Sequence, residues 1–310
     1  MVEAAGMEGD ELPVLPLSEW EQTKDTLHLL MQQIGKVQLA LRPSRNHWWH
    51  VTLRPTARGL STGLMRSGAK HFEIETDLID HRVLIRTDRG EIETIKLEDG
   101  LAVASFHRRL VDALDRLTVR PAIRAKPYGV PMETPFPEDH EHAFYDVDYV
   151  ERFWRILLWT TDVLEEFAGW FCGKQSPVHL FWHSFDLAHA RYSGRRAPEL
   201  PGADPVTREA YSHEVIAFGF WAGSELVREP AFYSYTAPEP DNLTDNKLTP
   251  TAAEWVDAGT GHLALLRYED VRRAGDAKAA LLSFFQSAYE AGARTAHWPI
   301  EDLESSSCPA

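Results

Sequence analysis

One stretch of the chain occurs twice, and a duplicated core segment constrains the fold more than composition does. The first copy reads His47-Trp48-Trp49-His50-Val51-Thr52-Leu53-Arg54-Pro55-Thr56-Ala57-Arg58. The second reads Leu180-Phe181-Trp182-His183-Ser184-Phe185-Asp186-Leu187-Ala188-His189-Ala190-Arg191. Trp49, His50, Ala57 and Arg58 match Trp182, His183, Ala190 and Arg191 at a constant offset of 133 residues. Both copies follow a helix-like segment that ends in Gly-Lys, at Gly35-Lys36 and Gly173-Lys174. Gly takes the left-handed conformation without a Cβ clash, so each Gly reads as a helix stop.

The first copy is rich in aromatic and β-branched residues, which favours a strand. Strict alternation over 47–58 puts His47, Trp49, Val51 and Leu53 on one face. Trp48, His50, Thr52, Arg54, Thr56 and Arg58 take the other. That second face is aromatic and polar, which a packing strand does not require. A duplicated His and Arg on such a face predicts a pocket between two halves.

The rest of the chain divides around this repeat. Residues 1–17 read as a leader. Ser18 and Glu21 have capping-box spacing, and Trp20, Leu27, Leu30, Met31 and Ile34 recur at helical spacing. Phe72 to Leu78, His81 to Thr87 and Glu91 to Leu97 read as a three-strand meander, followed by a helix over 101–117. These elements make a first half, 18–119. Residues 120–146 carry five prolines from Pro121 to Pro137 and read as a linker. The second half, 147–298, opens with a helix capped by Asp146 or Asp148. It continues through strands at 212–220, 231–235 and 262–266 and closes with a helix over 276–294. Residues 299–310 read as a tail. The expected fold is α+β, with two pseudo-symmetric halves of helix, antiparallel strands and helix packed around a shared central pocket.

Charge narrows the function classes. With 47 acids against 32 bases the net charge is −15, which argues against a nucleic-acid or anionic-membrane surface. Two cysteines, Cys172 and Cys308, give no disulfide framework and suit a reducing compartment. No basic region followed by an apolar run opens the chain. The most apolar segment, Phe153 to Leu164, is about twelve residues, where a span needs roughly 20. The expected location is the cytoplasm. The sequence does not set the oligomeric state.

Standard cofactor signatures, such as a Walker loop or H-E-x-x-H, are missing. Candidates come instead from single residues. Arg58 and Arg191 could clamp an anionic ligand, because a guanidinium fork binds carboxylate or phosphate bidentately; each could equally pair with a local acid. His50 and His213 could move protons near neutral pH. Glu214 or Asp186 would orient or activate them, Asp186 needing a partner in its apolar run. Trp48 and Trp182 could floor a pocket for a ring or cation, unless they are core. No cofactor is assigned. A divalent transition metal is one option, with His50, His183 and His213 the first ligands to test.

The stretches 47–53, Ser176-Pro177-Val178-His179, Ser184-Phe185-Asp186-Leu187-Ala188 and Ala210-Tyr211-Ser212-His213-Glu214-Val215 resemble an uncharacterised bacterial family, domain of unknown function 5996. The resemblance runs from about residue 12 to about 298. His50, Arg58, His179, Asp186, Arg191, His213 and Glu214 fall on its motif positions, which adds His179 to the binding candidates. The family usually has other residues where His183 and His189 stand. It implies no activity. The polar, His/Arg-bearing strand face gives the expectation of an enzyme acting on a small anionic or aromatic molecule, by His general acid–base or metal-assisted chemistry. The alternative is a non-catalytic binder or sensor with the same pocket.

Overall fold

The first helical stretch forms α1 (Leu17–Leu41) in the computed structural model, which describes residues 12–224 and 227–304. Every residue from Thr26 to Gln38 is buried. A helix buried all round has no solvent face, so α1 is a central element and not a cover on one sheet. Its buried polar side chains tie down other segments, as buried amides must. Gln38 Nε2 donates to the carbonyls of Thr52 (2.9 Å) and Thr62 (3.1 Å). Gln32 holds the Tyr128 backbone from both sides, donating to its carbonyl and accepting from its N–H, each at 2.9 Å.

Gly35 does not end this helix. A Cβ there would lie 2.2 Å from the Trp182 ring, so the glycine is a notch in the helix wall that admits an indole. Gly173 is not a helix stop either: its helix has already ended at Gly169, and a Cβ at Gly173 would meet Phe171 and Leu303 at 2.7 Å.

The first sheet contains β1 (Arg54–Pro55), β2 (Gly59–Ser61), β3 (Met65–Ser67), β4 (Lys70–Asp77), β5 (Arg82–Thr87) and β6 (Ile92–Lys96). It is antiparallel in the order β1-β2-β4-β5-β6, with β3 also on β4. The meander over β4–β6 follows the expected strands to within a residue or two, and α2 (Val103–Arg116) follows it.

The second half opens with α3 (Val147–Gly169), whose cap Asp146 accepts the amides of Asp148 (3.0 Å) and Tyr149 (3.2 Å). Then come β7 (His179–Phe181), β8 (Asp186–Arg196), α4 (Pro205–Ala210), β9 (His213–Trp221) and β10 (Ala231–Ala237). The chain ends through β11 (Glu254–Asp257), β12 (His262–Arg267), α5 (Tyr268–Arg272), α6 (Ala277–Thr295) and α7 (Ile300–Leu303). This sheet is antiparallel in the order β11-β12-β10-β9-β8-β7. Helices α3 and α6 cover one face, where Phe167, Phe218 and Phe285 pack with Phe167 and Phe218 centroids 4.9 Å apart. The two sheets meet edge to edge at a single bridge, Leu53 and Leu180 exchanging backbone hydrogen bonds of 2.9 and 2.8 Å. The fold is α+β, with two six-stranded antiparallel sheets. No described helix is long and apolar enough to cross a membrane.

The two motif copies do not form matching strands. His47 (φ 55°) and Trp48 (φ 61°) are left-handed and sit in a helical turn, so the expected strand over 47–56 shrinks to Arg54–Pro55. The second copy is broken by the turn 182–185, where Phe185 has φ 61°. Trp49 and His50 thus precede a strand, whereas Trp182 and His183 follow one. Arg58 lies in a turn and Arg191 on β8. The offset of 133 aligns unlike places, and the pseudo-symmetry drawn from it has no support from these four positions.

Described residues near both ends pack onto the fold. Leu12 and Leu15 are buried, and Pro13 accepts the Tyr268 hydroxyl at 2.6 Å. Leu303 accepts the Cys172 N–H at 2.9 Å. The remainder of the expected leader (1–11) and tail (305–310, with Cys308) lies outside the described residues. The 120–146 segment has no regular element beyond one turn at Phe136–Glu138.

Candidate functional site

Along β8 the side chains alternate between two very different surroundings. Leu187, His189 and Arg191 point to the helix side. Asp186, Ala188, Ala190 and Tyr192 point the other way and line a cavity of about 910 Å³. Ala217 of β9 continues this floor. Small residues hollow out the sheet face here. Gly219 on β9 is the extreme case: a Cβ would lie 2.2 Å from the Leu187 carbonyl and 2.6 Å from the Tyr233 ring. Tyr233, opposite Gly219 on β10, can therefore lie across β9 and donate its hydroxyl to Asp186 on β8. The facing wall is α1, through His28 and Lys36, together with residues near Trp48 and a strap at Tyr128–Met132.

Asp186 also accepts the Ser184 hydroxyl. Burial, and then the Asp186 charge, push the Tyr233 hydroxyl well above the ordinary tyrosine range, so it remains a donor. His183 lies in the same turn as Ser184 and lines the cavity. No hydrogen bond ties its ring to another described residue. Burial lowers its pKa, opposed by the Asp186 charge, so its imidazole is neutral near pH 7 and able to accept a proton. Helix α1 fixes this turn. His28 Nε2–H donates to the carbonyls of Trp182 (3.0 Å) and His183 (3.2 Å), and the His28 ring stacks on Phe185 at 5.0 Å. Burial lowers the His28 pKa to about 4.

The cavity wall also carries Lys36. It is 7% exposed, lines the cavity, and places its ammonium 5.6 Å from the Trp182 ring centre and 6.0 Å from that of Phe136. Removing an ammonium from water costs several kcal/mol, and a cation–π contact at this range returns about 1 kcal/mol. Desolvation, and then the like charge of Arg124, lower its pKa.

A further cluster closes the far end. His47 Nε2 accepts from Lys174 at 2.8 Å while Nδ1–H donates to the Ala210 carbonyl at 3.3 Å, which fixes one tautomer. Its ring stacks on Tyr192 at 4.4 Å, with His213 5.4 Å away. These contacts, with the His47 N–H donating to Glu209 (3.0 Å), hold the left-handed backbone at 47–48. Such strain is of order 1–3 kcal/mol per residue.

Of the sequence candidates, Asp186, His179, Trp48, Trp182 and His183 line the cavity. Trp48 Nε1 donates to the Val206 carbonyl at 3.0 Å. His179 is buried, has its pKa lowered to about 3 by burial, and packs edge-on against Phe181. The two arginines do not form a clamp. Arg58 pairs with Asp77 (2.9 Å) and Asp80 (2.7 Å) beside the first sheet. Arg191 is enclosed on the helix side, stacked on Phe167 at 3.6 Å and Tyr289 at 4.6 Å, and donates to the Phe167 carbonyl. His50, His213 and Glu214 are also outside the cavity lining. His50 Nδ1 accepts the Arg45 N–H (3.1 Å), His213 Nδ1 meets Ser212 Oγ (3.1 Å), and Glu214 accepts from Ser193 (2.8 Å) and Arg195 (2.9 Å). Among the described residues no three His, Cys, Asp or Glu side chains converge as a metal site would require, so His50, His183 and His213 do not form the ligand set considered. Sequence reasoning missed Lys36, His28, Tyr233 and Arg124. Lys36 was hidden by the reading of Gly35 as a helix stop.

A model of a family of unknown function, DUF5996, matches residues 12–305. The chain belongs to this family. No curated protein and no solved structure matches it. In this DUF5996 member the match takes in α1, both sheets and the strap, so every cavity residue named above lies within it.

Proposed function

We propose that the protein is a cytoplasmic enzyme acting on a small aromatic or anionic molecule in this cavity, with His183 as general base. The observation that carries the reading is His183 itself. Its neutral, uncommitted imidazole stands beside Asp186 in one turn facing a cavity of about 910 Å³. That volume is within the range of small-molecule sites. Asp186 would stabilise the imidazolium that forms, and Tyr233 and Ser184 hold the carboxylate in place. His50 and His213 have no part in this version.

A second reading, a non-catalytic binder or sensor, draws on the same carboxylate. Two hydroxyl donors already engage Asp186, as in a structural network. Incubation with a cell metabolite extract, followed by mass spectrometry, separates the two. An enzyme depletes at least one retained compound. His183→Asn then slows depletion by roughly 100-fold or more, with the compound still retained. Retention without depletion identifies a binder. If wild-type protein retains no compound, the small-molecule site is wrong.

A further inference from the structure

Lys36 and Arg124 face the cavity with no counter-charge supplied by the described chain. Both line the cavity, and among the described residues neither has a carboxylate within ion-pair distance or an acceptor for its side-chain hydrogens. Lys36 is only 7% exposed on the central helix, so little water replaces the missing counter-charge. Arg124 is solvent-exposed and so needs no protein partner, but it adds a like charge close enough to act on Lys36. The acids that line the cavity are engaged elsewhere: Glu21 pairs with Arg228 (2.7 Å), Asp25 with Lys24 (3.2 Å), and Asp186 accepts from Ser184 and Tyr233. His179 adds an independent sign: it is 2% exposed and lines the cavity, and no hydrogen bond ties its ring to another described residue. Buried charged and polar groups require partners.

We infer that the missing partner is the ligand, and that Lys36, with Arg124, binds an anionic group of a small acid. The acid is a carboxylate or a phosphate ester whose ring or apolar body rests against Trp182 and Met132. This rests on the cavity being a small-molecule site, as proposed above, and names the class of molecule. Sequence had given this role to Arg58 and Arg191, which the fold uses elsewhere.

Two probes of like shape test it: 1-naphthoate and 1-naphthalenemethanol, titrated calorimetrically into the full-length protein. The acid is expected to bind the wild type about tenfold tighter or better, as a charge-assisted contact predicts. Lys36→Met should abolish that preference and leave the alcohol's affinity unchanged, while Lys36→Arg retains it. Lys36→Met should melt no lower than wild type, because an apolar side chain replaces a desolvated charge; the binding result is then not a folding defect. Competition by benzoate against phenyl phosphate assigns the class, and either order supports an anion anchor. If both probes bind but the wild type shows no preference, or Lys36→Met keeps it, the anchor is overturned and the cavity reading stands. If neither probe binds at millimolar concentration, both fall.

Discussion

Two adjacent residues on α1 carry opposite lessons about reading a sequence. Gly35 has the composition of a helix stop, but its role is set by a ring arriving from a residue nearly 150 positions later, which no local rule registers. Lys36 has the composition of a solvent-facing lysine, and only the burial of the whole helix makes it a buried charge. The notch gives a prediction of reversed sign. In an exposed helix, Gly→Ala stabilises by about 1 kcal/mol. Here Gly35→Ala drives a methyl against the Trp182 ring. Overpacking costs about 1–3 kcal/mol and should win, giving a melting temperature a few degrees lower and a changed tryptophan emission. A higher melting temperature would show that Trp182 does not fill the notch.

At the scale of elements, regular pieces were readable and irregular ones were not. The meander β4–β6 shows the alternation of an amphipathic strand, and α2, α3 and α6 show helical periodicity with a capping Asp at Asp146, so local pattern and final structure agree. The two motif copies failed for one reason: left-handed residues at His47, Trp48 and Phe185 interrupt strands whose composition is strand-like. His, Trp and Phe give no sign of positive φ, since tertiary contacts impose it. The error moved half the site. Asp186 and His183 face the cavity because a turn separates them, while strict alternation had sent the wrong residues inward. Gly219 is the element-scale counterpart of Gly35. Gly219→Ala should cost about 1–3 kcal/mol and displace Tyr233 from Asp186. Chemical denaturation measures the first effect, and the Tyr233 ring signals in NMR the second. Unchanged stability would mean that Tyr233 does not lie across β9.

The whole molecule should respond to acid through its buried histidines. Burial lowers His28 to about 4 and His179 and His189 to about 3, from an ordinary 6.5. Each binds a proton more weakly when folded, so its contribution is complete above pH 6.5. As pH falls from 6.5 towards 4, the unfolded chain takes up protons that the native state refuses. Stability then drops by about 1.4 kcal/mol per pH unit for each of the three. Urea midpoints should be steady from pH 8 to 7 and clearly lower at pH 5. A midpoint unchanged down to pH 5 would contradict the burial of these rings. Central α1 unites much of this. By chain order it belongs with the first sheet, yet its His28, Gly35 and Lys36 complete a chamber floored by the second. Neither fragment of a chain severed in the 120–146 stretch would own a whole chamber.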